Sequence, residues 1–113
     1  MLVTLAAMAL CIVTDGDSLR CGAERIRIAG IDAPEIRRCP RHRTCTPGDG
    51  RASKRALEAL TAGRALRVER VGRDRYGRTL AKVYVGRLNI ACAMMARGYA
   101  VPRYEARWTR ECR

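Results

Sequence analysis

The chain has 113 residues, room for one hydrophobic core and not two, and its 23 Lys and Arg against 11 Asp and Glu leave a formal net charge of +12. Arginine carries most of the excess, and its planar fork suits phosphate oxygens, so an anionic partner, most simply nucleic acid, is expected. Four Tyr, one Trp and no Phe argue against an extended aromatic stacking platform, which leaves phosphate contacts to carry binding.

The opening "MLVTLAAMALCIV" is apolar but lacks a basic leading region and a clear small-residue cleavage site. It is also too short to span a bilayer. Its second half reads as the first strand, "ALCIVT", with a signal-peptide remnant as the alternative. "DGDS" turns the chain, "SLRC" continues it, and the alternating Ile26 and Ile28 of "ERIRIAG" mark a third strand. From Pro40 to Gly50, "PRHRTCTPGDG" has no period and reads as an exposed loop.

A helix follows in "RASKRALEALTAG", with Ala52, Ala56, Leu57 and Leu60 on one face and Gly63 as its left-handed stop. Strands "ALRVERV" and "TLAKVYV" flank the polar segment "GRDRYGR", making a hairpin. A second helix, "NIACAMMAR", takes Asn89 as N-cap and Gly98 as stop. The tail "RYEARWTRECR" reads as a short basic helix or a frayed end. Three strands, a helix and two strands is the order of an OB-type barrel. The expected fold is therefore mainly β (α+β): one domain over residues 1–113, a five-stranded OB-type barrel with two or three packed helices.

Three short stretches could carry chemistry. Asp15 and Asp17 in "DGDS" read first as turn residues, with hard-metal ligation as the functional alternative. In "RIAGIDAPEI", Asp32 and Glu35 flank Ala33 and Pro34, and proline holds this backbone so that each carboxylate can be aimed. Five residues of ideal strand span roughly 16 Å, so Arg27 and Asp32 share a site only if the chain bends, with Gly30 the place for it. In "GRDRYGR", Arg73, Arg75 and Arg78 surround Asp74 and Tyr76, and a guanidinium there could reach a phosphate as a bidentate donor.

Taken together and in this order, "DGDS", "RIRIAGIDAPE", "GRDRYGRTLAKVYV" and "LNIACAMMARGYA" closely resemble the staphylococcal nuclease (thermonuclease) family, from about Ala9 to Tyr104. The resemblance implies an OB-type barrel and a Ca²⁺-dependent phosphodiesterase acting on DNA and RNA, cutting at the 5′ oxygen to leave 3′-phosphate ends. It implies Asp17, Asp32 and the Ala33 carbonyl as metal ligands, with Asp15 just outside them. Arg27 and Arg78 match the two arginines that hold the reacting phosphate, and Glu35 matches the carboxylate that activates water. Arg75, Tyr76 and Tyr104 match positions near the bound nucleotide. The expected partner is the nucleic-acid substrate, with no membrane and a monomeric chain.

Two features depart from the family pattern. Its long C-terminal helix is shortened here to at most "EARWTRECR", and the segment after Glu35 has its own sequence, "IRRCPRHRTCTPGDG". The six cysteines show no dense framework by position, which leaves the compartment open. For Cys39 and Cys45 we expect free thiols ahead of a disulfide, and either ahead of zinc ligation with His42, itself expected to be a solvated loop residue. A non-catalytic binding module of the same fold would explain the charge but not the retained Arg27, Asp32, Glu35 and Arg78.

Overall fold

The computed structural model describes residues 10–112. The apolar opening up to residue 9, with its signal-peptide reading, lies outside them. Among the described residues eight strands form, at β1 Cys11–Asp15, β2 Ser18–Cys21, β3 Glu24–Ile28, β4 Ile31–Asp32, β5 Arg67–Arg73, β6 Thr79–Val85, β7 Leu88–Asn89 and β8 Val101–Pro102. Helix α1 spans Gly50–Thr61, helix α2 spans Ile90–Ala96, and a short 3-10 helix covers Ala106–Thr109.

Five of these strands are the expected ones, within two residues or so at their ends. They run β1-β2-β3-β6-β5 across one sheet, with β7 appended to β6. All neighbours are antiparallel except β3 and β6, which pair in parallel with Arg27 opposite Leu80. One parallel pair between the third and last main strands is what an OB-type order requires once α1 is inserted between them. The end strands β1 and β5 line one groove together with the C-terminal end of α1.

Alternation puts Val13, Leu19, Ile26, Ile28, Ala81 and Val83 inside, where they meet Leu57 and Leu60 of α1 and Ile90, Ala91 and Met94 of α2. Helix α1 differs slightly from expectation. Ser53 rather than Ala52 is fully buried, because its hydroxyl donates to the Tyr99 carbonyl at 2.8 Å. The Asp49 carboxylate caps α1 by accepting from the Arg51 and Ala52 amides, and Asn89 caps α2 as expected. Among the described residues no helix is long and apolar enough to cross a membrane.

Gly30 sits at φ +87°, in the left-handed region, and breaks the chain away from β3. The two residues after it, β4, pair with β8, and the Arg103 amide donates to the Gly30 carbonyl at 2.9 Å. A side-chain carbon on Gly30 would fall 2.5 Å from the Thr109 methyl and 3.1 Å from Trp108 Cβ, so the bend is also where the tail packs.

The cysteines overturn expectation. All six are bridged, Cys11 to Cys21, Cys39 to Cys45 and Cys92 to Cys112. The first bridge joins directly opposed positions of β1 and β2, the second closes the loop after Glu35, and the third fastens the tail to α2. With both loop sulfurs in a disulfide, neither the free-thiol nor the zinc reading holds. Spacing along the chain could not reveal this, because two of the bridges are set by sheet pairing and by helix-to-tail packing.

Candidate active-site cleft

A cleft of about 640 Å³ opens where the "DGDS" turn, the end of β3, the bend at Gly30, the β5–β6 hairpin and the residues after β8 meet. Asp15, Asp17, Arg27, Ala33, Glu35, Arg75, Tyr76, Arg78 and Tyr104 all line it. Asp32 alone of the expected residues does not; it lies beneath the wall, 1% exposed.

The bend at Gly30 solves the distance problem between Arg27 and Asp32. Arg27 Nη2 donates to Asp32 Oδ1 at 3.0 Å, and its Nη1 lies 3.3 Å from Asp17 Oδ2. That second contact is an ion pair without hydrogen-bond alignment, so Nη1 keeps an unused donor. Burial works against the Arg27 charge, but Asp17, Tyr104 and Asp32 outweigh it and hold the guanidinium more firmly protonated than usual. The Tyr104 ring stands 5.3 Å from its carbon, on a backbone at φ +64°.

Asp32 collects more partners than its sequence position suggests. Its Oδ2 accepts from the Thr46 hydroxyl at 2.6 Å and from Arg103 Nη1 at 2.9 Å, while Oδ1 also meets Arg43 Nη2 at 3.3 Å. Arg43 reaches on to Glu35, its Nη1 lying 2.9 Å from Oε1. Acids and guanidiniums thus alternate across the site in the order Asp17, Arg27, Asp32, Arg43, Glu35.

The backbone of Ala33, Pro34 and Glu35 is held from outside by missing side chains. A Cβ on Gly16 would come within 2.8 Å of Ala33 Cβ, one on Gly48 within 2.8 Å of Pro34 Cγ, and one on Gly50 within 2.3 Å of the Glu35 carbonyl oxygen. The Ala33 amide also donates to Asp17 Oδ2 at 2.9 Å, tying the metal-ligand candidates together.

At the hairpin tip, Asp74 arranges Arg78. Its Oδ1 accepts from the Tyr76 and Arg78 amides, and its Oδ2 accepts from Arg78 Nε at 2.7 Å. Desolvation raises the Asp74 carboxyl's pKa, but these bonds from Arg78 and Tyr76 outweigh it and lower it overall. Arg75 Nη2 donates to the Tyr76 hydroxyl at 3.0 Å, and Tyr76 and Arg75 are exposed at the rim.

A hard cation suits the donor set, since Asp17, Asp32 and the Ala33 carbonyl offer oxygen alone. Asp15 adds a further carboxylate beside this set. Its carboxyl is raised above the ordinary value first by burial, then by the charges of Asp17 and Glu35, a crowding that a divalent cation would relieve. Among the described residues no three His, Cys, Asp or Glu side chains converge as a ready ligand set. Two carboxylates, a carbonyl and water would have to suffice, with Asp32 sharing its oxygens with its arginines.

Reasoning from the sequence missed Arg43, Thr46 and Arg103 around Asp32, Asp74 as the holder of Arg78, and Gly50 behind Glu35. Only the Asp74–Arg78 spacing within one hairpin tip carried a local signal. The others come from segments far apart in the chain.

A family model described as staphylococcal nuclease homologue matches residues 25–111. An uncharacterized endonuclease of Haemophilus influenzae is 37% identical over 93 residues, 78% of this chain and 47% of its own length. Succinoglycan biosynthesis protein ExoI of Rhizobium meliloti is 43% identical over 68 residues, 58% of this chain and 36% of its own length. The probable staphylococcal-like nuclease CAN3 of Oryza sativa is 32% identical over 96 residues, 79% of this chain and 23% of its own length. The chain thus spans less than half the length of these relatives.

Proposed function

The chain belongs to the staphylococcal nuclease family, and from that premise we propose that it is a Ca²⁺-dependent endonuclease hydrolysing DNA, with RNA as a further substrate, to products with 3′-phosphate ends. The observation that carries the reading is the convergence of two acids and two guanidiniums, Asp17, Glu35, Arg27 and Arg78, on one cleft. A binding module of the same fold would account for the positive charge but not for this set of acids and guanidiniums on one cleft.

Asp17, Asp32 and the Ala33 carbonyl would hold Ca²⁺, which when bound polarises a phosphate oxygen as a Lewis acid. The protein's own groups do the rest. Arg27 is fixed in the cleft wall with a donor to spare, and Arg78 is braced at Nε by Asp74, which directs its terminal nitrogens to a phosphate. One preorganised donor of this kind is worth about 3 to 4 kcal/mol as charge grows on the phosphate oxygens. Glu35 takes a proton from water as its oxygen bonds to phosphorus; the bond to the 5′ oxygen breaks, and that oxygen leaves as a hydroxyl after protonation by solvent. Arg75, Tyr76 and Tyr104 hold the nucleotide at the rim.

The test is digestion of single-stranded DNA with Ca²⁺ or with chelator, followed by end-group analysis, with Glu35→Gln as a control. Cleavage with Ca²⁺ alone, 3′-phosphate ends and a variant that binds without cutting are expected. Intact strands in both tubes at high protein would sink the enzyme reading.

A further inference from the structure

The loop after Glu35 is built to present one side chain. Cys39 and Cys45 close it, with Arg43 inside the ring and Thr46 just beyond. Thr46 anchors it on Asp32, and Arg103 anchors it a second time, donating to the Thr44 carbonyl and to Asp32 at 2.9 Å each. Arg43 then bridges two carboxylates with one guanidinium, Nη1 toward Glu35 Oε1 at 2.9 Å and Nη2 toward Asp32 Oδ1 at 3.3 Å. Among the described residues it is the sole ion-pair partner of Glu35.

We propose that Arg43, presented by the Cys39–Cys45 loop, is a positioning residue of the reaction: it fixes Glu35 by one oxygen and leaves the other for water. This rests on the nuclease reading above. A long arginine loses rotamer freedom when it is held in one place, and the closed, doubly anchored loop lowers that cost in advance. Stability is not what the contact provides. The Arg43 and Glu35 side chains are 37% and 30% exposed, and ion pairs so placed add little to folding. Its effect therefore falls on turnover. Without Arg43, Glu35 keeps no ion pair among the described residues to aim it, and the like charge of Asp15 acts against it.

The proposal makes two quantities move in opposite directions. Removing a positive charge beside Asp32 and Glu35 should tighten Ca²⁺ binding, whereas losing the aim of Glu35 should slow cleavage. A general loosening of the fold would weaken both.

The experiment compares the wild-type chain with Arg43→Ala, Arg43→Lys and the Cys39→Ser/Cys45→Ser pair. Readouts are kcat and KM on a single-stranded oligonucleotide, Ca²⁺ affinity by calorimetry without nucleic acid, and the melting temperature. Arg43→Ala should lose about tenfold or more in kcat, the usual cost of removing a group that orients a reacting one. Its KM and melting temperature should stay near wild type and its Ca²⁺ affinity should rise. Arg43→Lys should recover only part of kcat, since an ammonium cannot span both carboxylates. The serine pair should lower kcat, and Arg43→Ala should cost less in that background than alone. If the serine pair fails to fold, the single variants still decide. Unchanged kcat, a rise in KM alone, or a joint fall of kcat, Ca²⁺ affinity and melting temperature overturns the role. If the wild-type chain cuts nothing, the nuclease reading falls and takes this role with it; if it cuts and Arg43→Ala cuts equally well, only this role falls.

Discussion

The Asp74 carboxylate braces Arg78 at two points, accepting from its backbone amide at 2.9 Å and from its Nε at 2.7 Å. The turn and the guanidinium it displays are therefore set by one side chain. Asp74→Ala should lower kcat about tenfold or more, because Arg78 remains present but unaimed. Steady-state cleavage of a short oligonucleotide checks this. An unaltered rate would mean that Arg78 needs no brace.

Gly50 leaves no room for a side chain, since the nearest atom to an added Cβ is the Glu35 carbonyl oxygen at 2.3 Å, and backbone cannot step aside cheaply. Gly50→Ala should cost about 1 to 3 kcal/mol in denaturant unfolding and depress cleavage as Glu35 shifts. Gly63→Ala is the matched control. It sits at φ +66° in open space, so it should lose about 1 to 2 kcal/mol from backbone strain and keep its kcat per folded molecule. Equal catalytic loss in both would refute the local account.

Glu24 ties three strands. Its carboxylate accepts from Arg70 Nε and Nη2 at 2.8 and 2.6 Å and from the Thr79 hydroxyl at 2.9 Å. These bonds, Arg70 first, lower its pKa from 4.5 to about 2. A depressed carboxyl stabilises the fold above its unfolded value and ceases to do so as pH falls through the folded one. Glu24→Gln should be modestly less stable than wild type at pH 7, as a solvent-screened pair allows, and the difference should close between 4.5 and about 2. Unfolding midpoints taken across that window decide it; a gap that persists at the acid end would contradict the assignment.

Asp15 behaves in the opposite sense. Its carboxyl is raised above 3.8 by burial and by the charges of Asp17 and Glu35, so ionisation at neutral pH costs the folded state. In chelator, Asp15→Asn should raise the melting temperature at pH 7, and the gain should disappear once pH drops below the ordinary value of 3.8. Added Ca²⁺ should stabilise wild type more than the variant. A melting temperature lowered at pH 7 would show that the crowding is already relieved by neighbouring cations.

Much of the fold was legible because local pattern dictated it. Ile26 and Ile28 alternate into the core, Asn89 and Gly98 bracket a helix, and the Gly30 bend was foreseen from the reach of Arg27 to Asp32. The cleft residues were legible as three short motifs. What joins them was not. The partners of Asp32 lie 11, 14 and 71 residues downstream, at Arg43, Thr46 and Arg103, and no periodicity links such positions. The Cys92–Cys112 disulfide escaped for the same reason: its two halves meet because the tail folds back past Gly30. "PGDG" read as loop filler, yet Gly48 and Gly50 are the surface on which Pro34 and Glu35 rest.

That arrangement separates what an engineer may change from what must stay. Ala33, Pro34 and Glu35 are cast against three glycines, so their shape is guarded by volume at positions 16, 48 and 50 rather than by the identity of the intervening loop. Arg37, Arg38, Pro40 and Arg41 stand exposed on that loop. A library randomised at those four positions, with the glycines, both cysteines, Arg43 and Thr46 left in place, would vary the outer face of the loop while the backbone that carries Glu35 keeps its mould.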